Sequence, residues 1–273
     1  MKILLTGASG FIGRNIALAL QTDGHEVVAI SRSVGIDFNR LCAPADWRPY
    51  LQDIDAVINS VGIIAERPDQ SFSTLHYQAP TALFRACVEA GVKRVIQISA
   101  LGADELAFTP YQLSKKAADD VLRSLPLAWF VLRPSLVYGE GGKSTSLFRW
   151  LASLPLIPMV ARGKQWIQPV HVDDLVDAIL ICLTATPARR TIDVVGPNAM
   201  TLADWLQQLR LHSGKSVATI VSVPFRMALF SSLLMRHFVP LFSPDNLRML
   251  QQGNTADVQP LVDLLGRLPR DLP

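Results

Sequence analysis

The segment Thr109-Pro110-Tyr111-Gln112-Leu113-Ser114-Lys115 concentrates the most chemistry in the shortest stretch. Thr109 is placed to cap a helix N-terminus, and Pro110 fits the first helical position, where its missing N–H is no loss. On that helix Tyr111 and Lys115 stand four residues apart, one turn above the other on a shared face. A neighbouring ammonium and the positive end of a helix both favour phenolate. The spacing therefore predicts a tyrosine of lowered pKa, suited to giving and taking a proton.

A second set of residues lies at the start of the chain. Thr6-Gly7-Ala8-Ser9-Gly10-Phe11-Ile12-Gly13 follows a short apolar run and leads into a helical apolar face at Ile16, Ala17 and Leu20. Gly7 permits a tight turn, Gly10 lets backbone N–H groups approach a pyrophosphate, and Gly13 allows helix to pack closely on strand. Ser9, Phe11 and Ile12 complete a turn whose helix opening presents unpaired N–H groups to an anion. A strand, this glycine trio and a helix in that order read as a dinucleotide cradle.

The end of the next strand, Ala29-Ile30-Ser31-Arg32-Ser33, lacks the carboxylate that accepts from ribose hydroxyls in NAD-preferring sites. Arg32, with Ser31 and Ser33, is instead suited to a 2′-phosphate, which predicts NADP(H) over NAD(H). Asn59-Ser60-Val61-Gly62 closes a further strand, where an open α/β sheet makes its ligand contacts. Val61 and Gly62 are placed to flank the adenine or its ribose, and Asn59 to cap the turn. Lys115 is placed to hydrogen-bond the nicotinamide ribose.

Thr6-Gly7-x-x-Gly10-x-x-Gly13 followed by Tyr111-x-x-x-Lys115 resembles the short-chain dehydrogenase/reductase superfamily, its extended and atypical branches above all. Leu132-Arg133-Pro134-Ser135-Leu136-Val137-Tyr138-Gly139 and Pro169-Val170-His171-Val172-Asp173-Asp174 strengthen the resemblance. Within the superfamily the chain is most similar to relatives of the NADPH-binding accessory subunit of respiratory complex I, some of them implicated in ubiquinone synthesis. The resemblance implies Tyr111 as the acid–base residue, Lys115 as its helper, and Pro134 to Val137 as a wall beside the nicotinamide.

The resemblance also exposes two departures. Active members place a Ser or Thr one residue beyond the first serine after the strand that ends here at Ser99, to hold the substrate carbonyl. This chain has Ala100 there. Losing such a donor typically costs about 3–4 kcal/mol of transition-state stabilisation. Ser99 itself points to the opposite face if strand alternation continues. Gln78 stands where many relatives carry Asn.

The elements that must hold these residues are legible as alternating apolar runs and helical patterns, the βαβ rhythm of a Rossmann-type, doubly wound parallel α/β sheet. Strands are predicted at Lys2 to Thr6, Glu26 to Ile30, Ala56 to Ser60, Arg94 to Ser99 and Ala128 to Arg133. Helices are predicted near Phe11 to Thr22, Ser71 to Ala90 and Pro110 to Ser124. Beyond Pro134, frequent Gly and Pro break the chain into shorter pieces. Helical patterns return at Asp173 to Ala185, with Asp173 as N-cap, then at Thr201 to Ser213, Pro224 to Phe238 and Pro244 to Gln252. The division expected is a dinucleotide-binding core over 1–135, with contributions from about 166–196, and a small substrate-facing C-terminal region made of 136–165 and 197–273.

At 273 residues, with 49% hydrophobic and 18% charged, the chain can bury a sizeable core. A net charge of +3 without a dense Lys/Arg run argues against nucleic acid. Three dispersed cysteines and five scattered histidines suggest neither disulfides nor a metal site, and a reducing, cytoplasmic setting is expected. No apolar run reaches the roughly 20 residues of a membrane span. Phe225 to Phe242 has the composition of a helix over the substrate cleft, or of one lying on a membrane surface or protein partner.

Two functions fit best. One is an NADP(H)-dependent oxidoreductase acting on a carbonyl or alcohol of an apolar small molecule, a quinone-related compound being one such substrate, with Tyr111 as acid–base. The other is a non-catalytic NADPH-binding assembly protein, favoured by Ala100. A redox-sensing regulator is a third.

Overall fold

A computed structural model describes residues 1–235 and 243–271 of the chain. β1 (Lys2–Thr6) runs through the glycine turn into α1 (Phe11–Thr22), whose buried residues are Gly13, Ile16 and Leu20. β2 (Glu26–Ile30) follows, and the connection to β3 (Ala56–Asn59) makes only short helical turns, among them α2 (Pro44–Trp47). A six-residue π-helical turn, Ser73–Gln78, opens α3 (Ala79–Glu89). Then come β4 (Arg94–Ile98), α4 (Pro110–Ser124) and β5 (Ala128–Pro134).

The later chain contains β6 (Val137–Tyr138), α5 (Lys143–Ser153), β7 (Leu156–Val160), β8 (Trp166–Ile167), β9 (Val170–His171), α6 (Val172–Cys182) and β10 (Arg190–Val194). It closes with β11 (Met200–Thr201), α7 (Leu202–His212), β12 (Thr219–Val223), α8 (Phe225–Met235), α9 (Pro244–Gln252) and α10 (Gln259–Leu265).

Six strands form one parallel sheet in the order β2-β1-β3-β4-β5-β10. The chain leaves β1 toward β2 on one side and returns to β3 on the other. The strand order thus reverses at β1, and a crevice opens past the carboxyl ends of β1 and β3. The near-continuous apolar runs are explained by two-sided burial. Ile3, Leu5, Ile58, Ile96, Phe130 and Ile192 face α1 and α6 in one core, while Leu4, Val57, Val95 and Val131 face α3 and α4 in the other.

A third core lies outside the sheet. Tyr138, Phe148, Ile157, Ile167, Trp205 and Leu206 pack α5 and α7 between the short pairs β6–β9, β7–β12 and β8–β11. The last helix returns to the sheet: Leu261 and Leu264 of α10 join the first core. Arg267 and Arg270 each reach the fully buried Asp174 of α6 at 2.7 Å. The end of the 197–273 stretch therefore packs on the sheet. The N-cap of α6 is also not Asp173 but His171, whose side chain accepts from the Asp173 N–H at 3.3 Å; Asp173 lies within the first helical turn.

Among the described residues, no helix is long and apolar enough to cross a membrane. The stretch Phe225 to Phe242 is helical through Met235, with Met227 and Phe230 63% and 68% exposed; residues 236–242 lie outside the described residues.

Candidate functional site

The glycine turn is shaped chiefly by its backbone. Gly7 has φ +72°, a conformation costly to any residue with a Cβ, and its N–H donates to the Ile30 carbonyl at the end of β2. A Cβ on Gly13 would lie 2.1 Å from the Gly7 carbonyl oxygen, so the helix can approach the turn only without one. A Cβ on Gly7 would lie 2.9 Å from the backbone of Ser60, so the same glycine brings β1 against the end of β3. At Gly10 an added Cβ meets only the Gly7 oxygen, at 3.2 Å, and space is otherwise open.

Gly10 is the N-cap of α1 and supplies no side-chain cap. The N–H groups of Phe11, Ile12 and Gly13 are left for another acceptor, and no acidic residue occupies the first turn. Ser9 is exposed beside them, its carbonyl accepting from Arg14 Nη1 at 2.9 Å. A site with bare N–H groups, a positive helix end and no side chain in the gap fits a diphosphate.

Arg32 begins a short helical turn just past β2 and is exposed. With the Gln70 carboxamide turned so that its oxygen faces the guanidinium, Arg32 donates to it through Nη1 and, at 3.3 Å, Nη2. Ser31 and Ser33 hydroxyls hydrogen-bond each other at 2.8 Å. Pro134 ends β5, buried, and its carbonyl accepts from Leu101 N–H at 2.9 Å.

At the other end of the crevice, α4 begins as its sequence predicts. Thr109 accepts from the Gln112 N–H and forms a capping box with Gln112, with Pro110 in the first turn. Lys115 is buried, and its ammonium donates to the Val61 carbonyl at 3.2 Å and the Ile98 carbonyl at 3.0 Å. It thereby joins the ends of β3 and β4. Gly62 sits against it, an added Cβ falling 3.2 Å from Lys115 Nζ. Burial pushes the Lys115 pKa down to about 8, with the Asp119 carboxylate pulling the other way.

Tyr111 departs from expectation. Its pKa is not lowered but pushed up to about 12, by burial first and by the Asp119 carboxylate second. The physical reason is that the Lys115 charge is turned toward two backbone carbonyls, leaving desolvation unopposed at the phenol. Among the described residues, the Tyr111 hydroxyl has no hydrogen-bond partner. Its ring meets Phe72 and His76 edge-on, with centroids at 5.7 and 5.4 Å.

Several residues that sequence reasoning passed over build this corner. A buried polar ladder crosses the sheet: Thr6 Oγ1 donates to Asn59 Oδ1 at 2.5 Å, and Asn59 Nδ2 donates to Gln97 Oε1 at 2.7 Å. The ladder ends at Gln97, and near it the Ser99 hydroxyl donates to the buried Asp119. Asn59 is thus a rung of this ladder as well as a turn cap, its Oδ1 also accepting from the Val61 N–H at 3.4 Å. Burial raises the Asp119 pKa to about 6 against the lowering effects of Ser99, Lys115, Arg123 and Gln97. Ser99 is committed to Asp119, and Ala100 beside it is buried without a polar atom.

Gln78 is exposed at the end of the π-helical turn. The residues that this turn sends inward are Leu75 and the polar His76, the latter 1% exposed. Asp119 had a signal available in the sequence, since it continues the Tyr111–Lys115 stripe at the same four-residue spacing. His76 had none.

Compared with known proteins, residues 3–195 match a model of the NAD dependent epimerase/dehydratase family. A ceramide reductase from Caulobacter vibrioides is 26% identical over 204 residues, which cover 70% of this chain and 63% of that protein. The mitochondrial NADH dehydrogenase (ubiquinone) 1 alpha subcomplex subunit 9 of Mus musculus is 25% identical over 98% of this chain and 73% of its own length. In fold, the chain is similar to a UDP-glucuronic acid 4-epimerase from Bacillus cereus solved in complex with UDP-glucuronic acid and NAD. The TM-score is 0.75 at 22% identity, over 100% of this chain and 95% of that one.

Proposed function

The chain belongs to the NAD dependent epimerase/dehydratase family, and from that premise we propose that it binds NADP(H) and uses it to reduce or oxidise an apolar carbonyl or alcohol, with Tyr111 as acid–base residue. The observation that carries this reading is the uncapped opening of α1, where three backbone N–H groups face a gap lined by glycine. Residues 1–135 with about 166–196 hold the cofactor in this proposal, and the region made of 136–165 and 197–273 faces the substrate.

The free N–H groups of Phe11, Ile12 and Gly13 hold the diphosphate, and Gly7, Ser9 and Gly10 shape the turn that lets it approach them. Ser31 and Arg32 meet the 2′-phosphate, Arg32 exchanging its Gln70 amide contact for a charged one. Val61 and Gly62 line the crevice, Lys115 reaches the nicotinamide ribose, and Pro134 backs the ring. When bound, the reduced cofactor supplies a hydride to the substrate carbonyl carbon. Tyr111, whose phenol keeps its proton at neutral pH, gives that proton to the carbonyl oxygen as the C=O bond becomes C–OH.

One observation favours a second reading, a non-catalytic NADPH-binding accessory protein. Ala100 offers the substrate oxygen no donor, and Ser99 is tied to Asp119. The exposed Met227 and Phe230 on α8 would then belong to a surface for a partner or a membrane.

Equilibrium titration with NADPH and NADH tests cofactor choice. Arg32→Asp is expected to weaken NADPH binding about 10- to 100-fold, the worth of a charge-assisted contact, and to leave NADH unaffected. Equal NADPH affinity in the variant would remove the NADP assignment. Turnover on a panel of quinones and apolar ketones that vanishes in Tyr111→Phe supports catalysis, whereas tight binding with no turnover supports the accessory reading.

A further inference from the structure

His76 is a fully committed imidazole at the junction of the two halves of the crevice. Its Nε2 accepts from the Ile63 N–H at 3.0 Å, and its Nδ1 lies 3.0 Å from the Ser114 hydroxyl. Ser114 spends its one hydroxyl hydrogen on the Tyr111 carbonyl at 2.8 Å. The Ser114 oxygen must therefore accept from His76, which fixes the imidazole as the neutral Nδ1–H tautomer. That same tautomer leaves Nε2 free to receive Ile63, so the two bonds require each other.

The ring is further held by stacking on Phe72, with centroids 5.1 Å apart, and by the edge of Tyr111 at 5.4 Å. Lys115 and Gly62 close around it: a Cβ on Gly62 would lie 3.7 Å from His76 Nε2 and 3.2 Å from Lys115 Nζ. Burial and the Lys115 charge hold its pKa well below the ordinary histidine value, in keeping with a neutral ring. A π-helical turn, with its wider backbone, is what carries this side chain into the gap.

We propose that His76 is a positioning residue that ties the Val61–Ile63 segment on the cofactor side to the first turn of α4, which bears Tyr111 and Lys115. This rests on the functional reading above, in which Val61 and Gly62 line the cofactor crevice. Occupying the crevice and setting the acid–base tyrosine are then one event, because a shift of Ile63 moves the imidazole, and the imidazole moves Ser114 and the Tyr111 backbone.

Two variants of similar size and polarity separate the two bonds in the full-length chain. In His76→Gln the carboxamide oxygen can stand where Nε2 stands and keep Ile63. In His76→Asn the shorter amide can serve Ser114 only. NADPH affinity is expected to stay within about twofold of the parent in His76→Gln and to fall about tenfold in His76→Asn, the equivalent of one lost hydrogen bond. Amide exchange across residues 110–118 is expected to slow on NADPH binding in the parent and not in either variant, since each retains one end of the link. Thermal unfolding of each variant reports separately on folding.

Equal affinity losses in the two variants, or parent-like exchange protection in His76→Asn, would overturn the proposal while leaving cofactor binding intact. A parent chain that binds neither NADPH nor NADH would overturn the functional reading and this inference together.

Discussion

The Gly7–Gly13 turn and the Tyr111–Lys115 corner meet across one short segment, Ser60 to Gly62, yet they are made of different material. Ser60 packs on Gly7, and one residue later Val61 gives its carbonyl to Lys115. On the first side everything that would touch a ligand is backbone, fixed by a positive φ and by contacts too close for a Cβ. On the second side the arrangement depends on side chains from several elements: Phe72, His76, Ser99, Lys115 and Asp119. A site of backbone tolerates drift in every residue except its glycines. A site of buried side chains can change at one position, Ala100 for example, while the rest stays assembled.

The largest effect is expected on the backbone side. Gly13→Ala places a methyl 2.1 Å from the Gly7 oxygen, where neither helix nor turn can yield. We expect a loss of about 3 kcal/mol in stability, at the upper end for overpacking, together with loss of measurable NADPH binding. Chemical denaturation with a dinucleotide titration checks both. The contrast sharpens if Tyr111→Phe leaves cofactor affinity within about twofold, since its hydroxyl makes no hydrogen bond among the described residues. It breaks if the two substitutions abolish binding alike.

How much of each side could be read in the sequence follows from the same difference. The cradle is local: a strand, three glycines and a helix within the first 22 residues announce their own conformational needs. The five long strands of the first half were equally plain, because burial on both faces demands unbroken apolar runs. The corner is not local. Thr109, Pro110 and Gln112 start α4 as their types dictate, but the direction of the Lys115 ammonium depends on carbonyls 17 and 54 residues away. The proximity of Tyr111 and Lys115 in sequence therefore suggested a lowered tyrosine pKa, and long-range placement reversed it. His76 enters through a π-helical turn that no apolar period marks, and β6 through β9, β11 and β12 are too short, or too dependent on one another, for a strand pattern to show.

A second test exploits buried charge, which the corner contains and the cradle does not. Asp119 has an ordinary carboxyl pKa of 3.8 when unfolded and about 6 in the fold. A folded value above the unfolded one means that its contribution is complete below 3.8 and is lost as pH rises through 6. The stability of the parent relative to Asp119→Asn is thus expected to fall by about 3 kcal/mol across that window. Urea unfolding at several pH values measures it. A flat difference would mean that Lys115 and Ser99 fully offset the burial of Asp119, and the corner would then resemble the cradle in carrying no electrostatic cost.

The smallest effect comes from repeating the glycine substitution on the other side of the divide. Gly62→Ala puts its methyl 3.2 Å from Lys115 Nζ and 3.7 Å from His76 Nε2, with no backbone atom nearer and no positive φ to strain. The lysine can withdraw a few tenths of an ångström by rotating its flexible stem, and alanine also removes some disorder from the unfolded chain, a gain of about 0.4–1 kcal/mol. Net stability should therefore stay within about 1 kcal/mol of the parent. Displacing the ammonium from Val61 and Ile98 should nonetheless change how tightly the crevice closes, visible as a roughly twofold to fivefold weaker affinity for NADPH. If Gly62→Ala instead cost as much stability as Gly13→Ala, the corner would be as rigid as the cradle, and Ala100 would have to be explained by something other than tolerance on the side-chain half of the site.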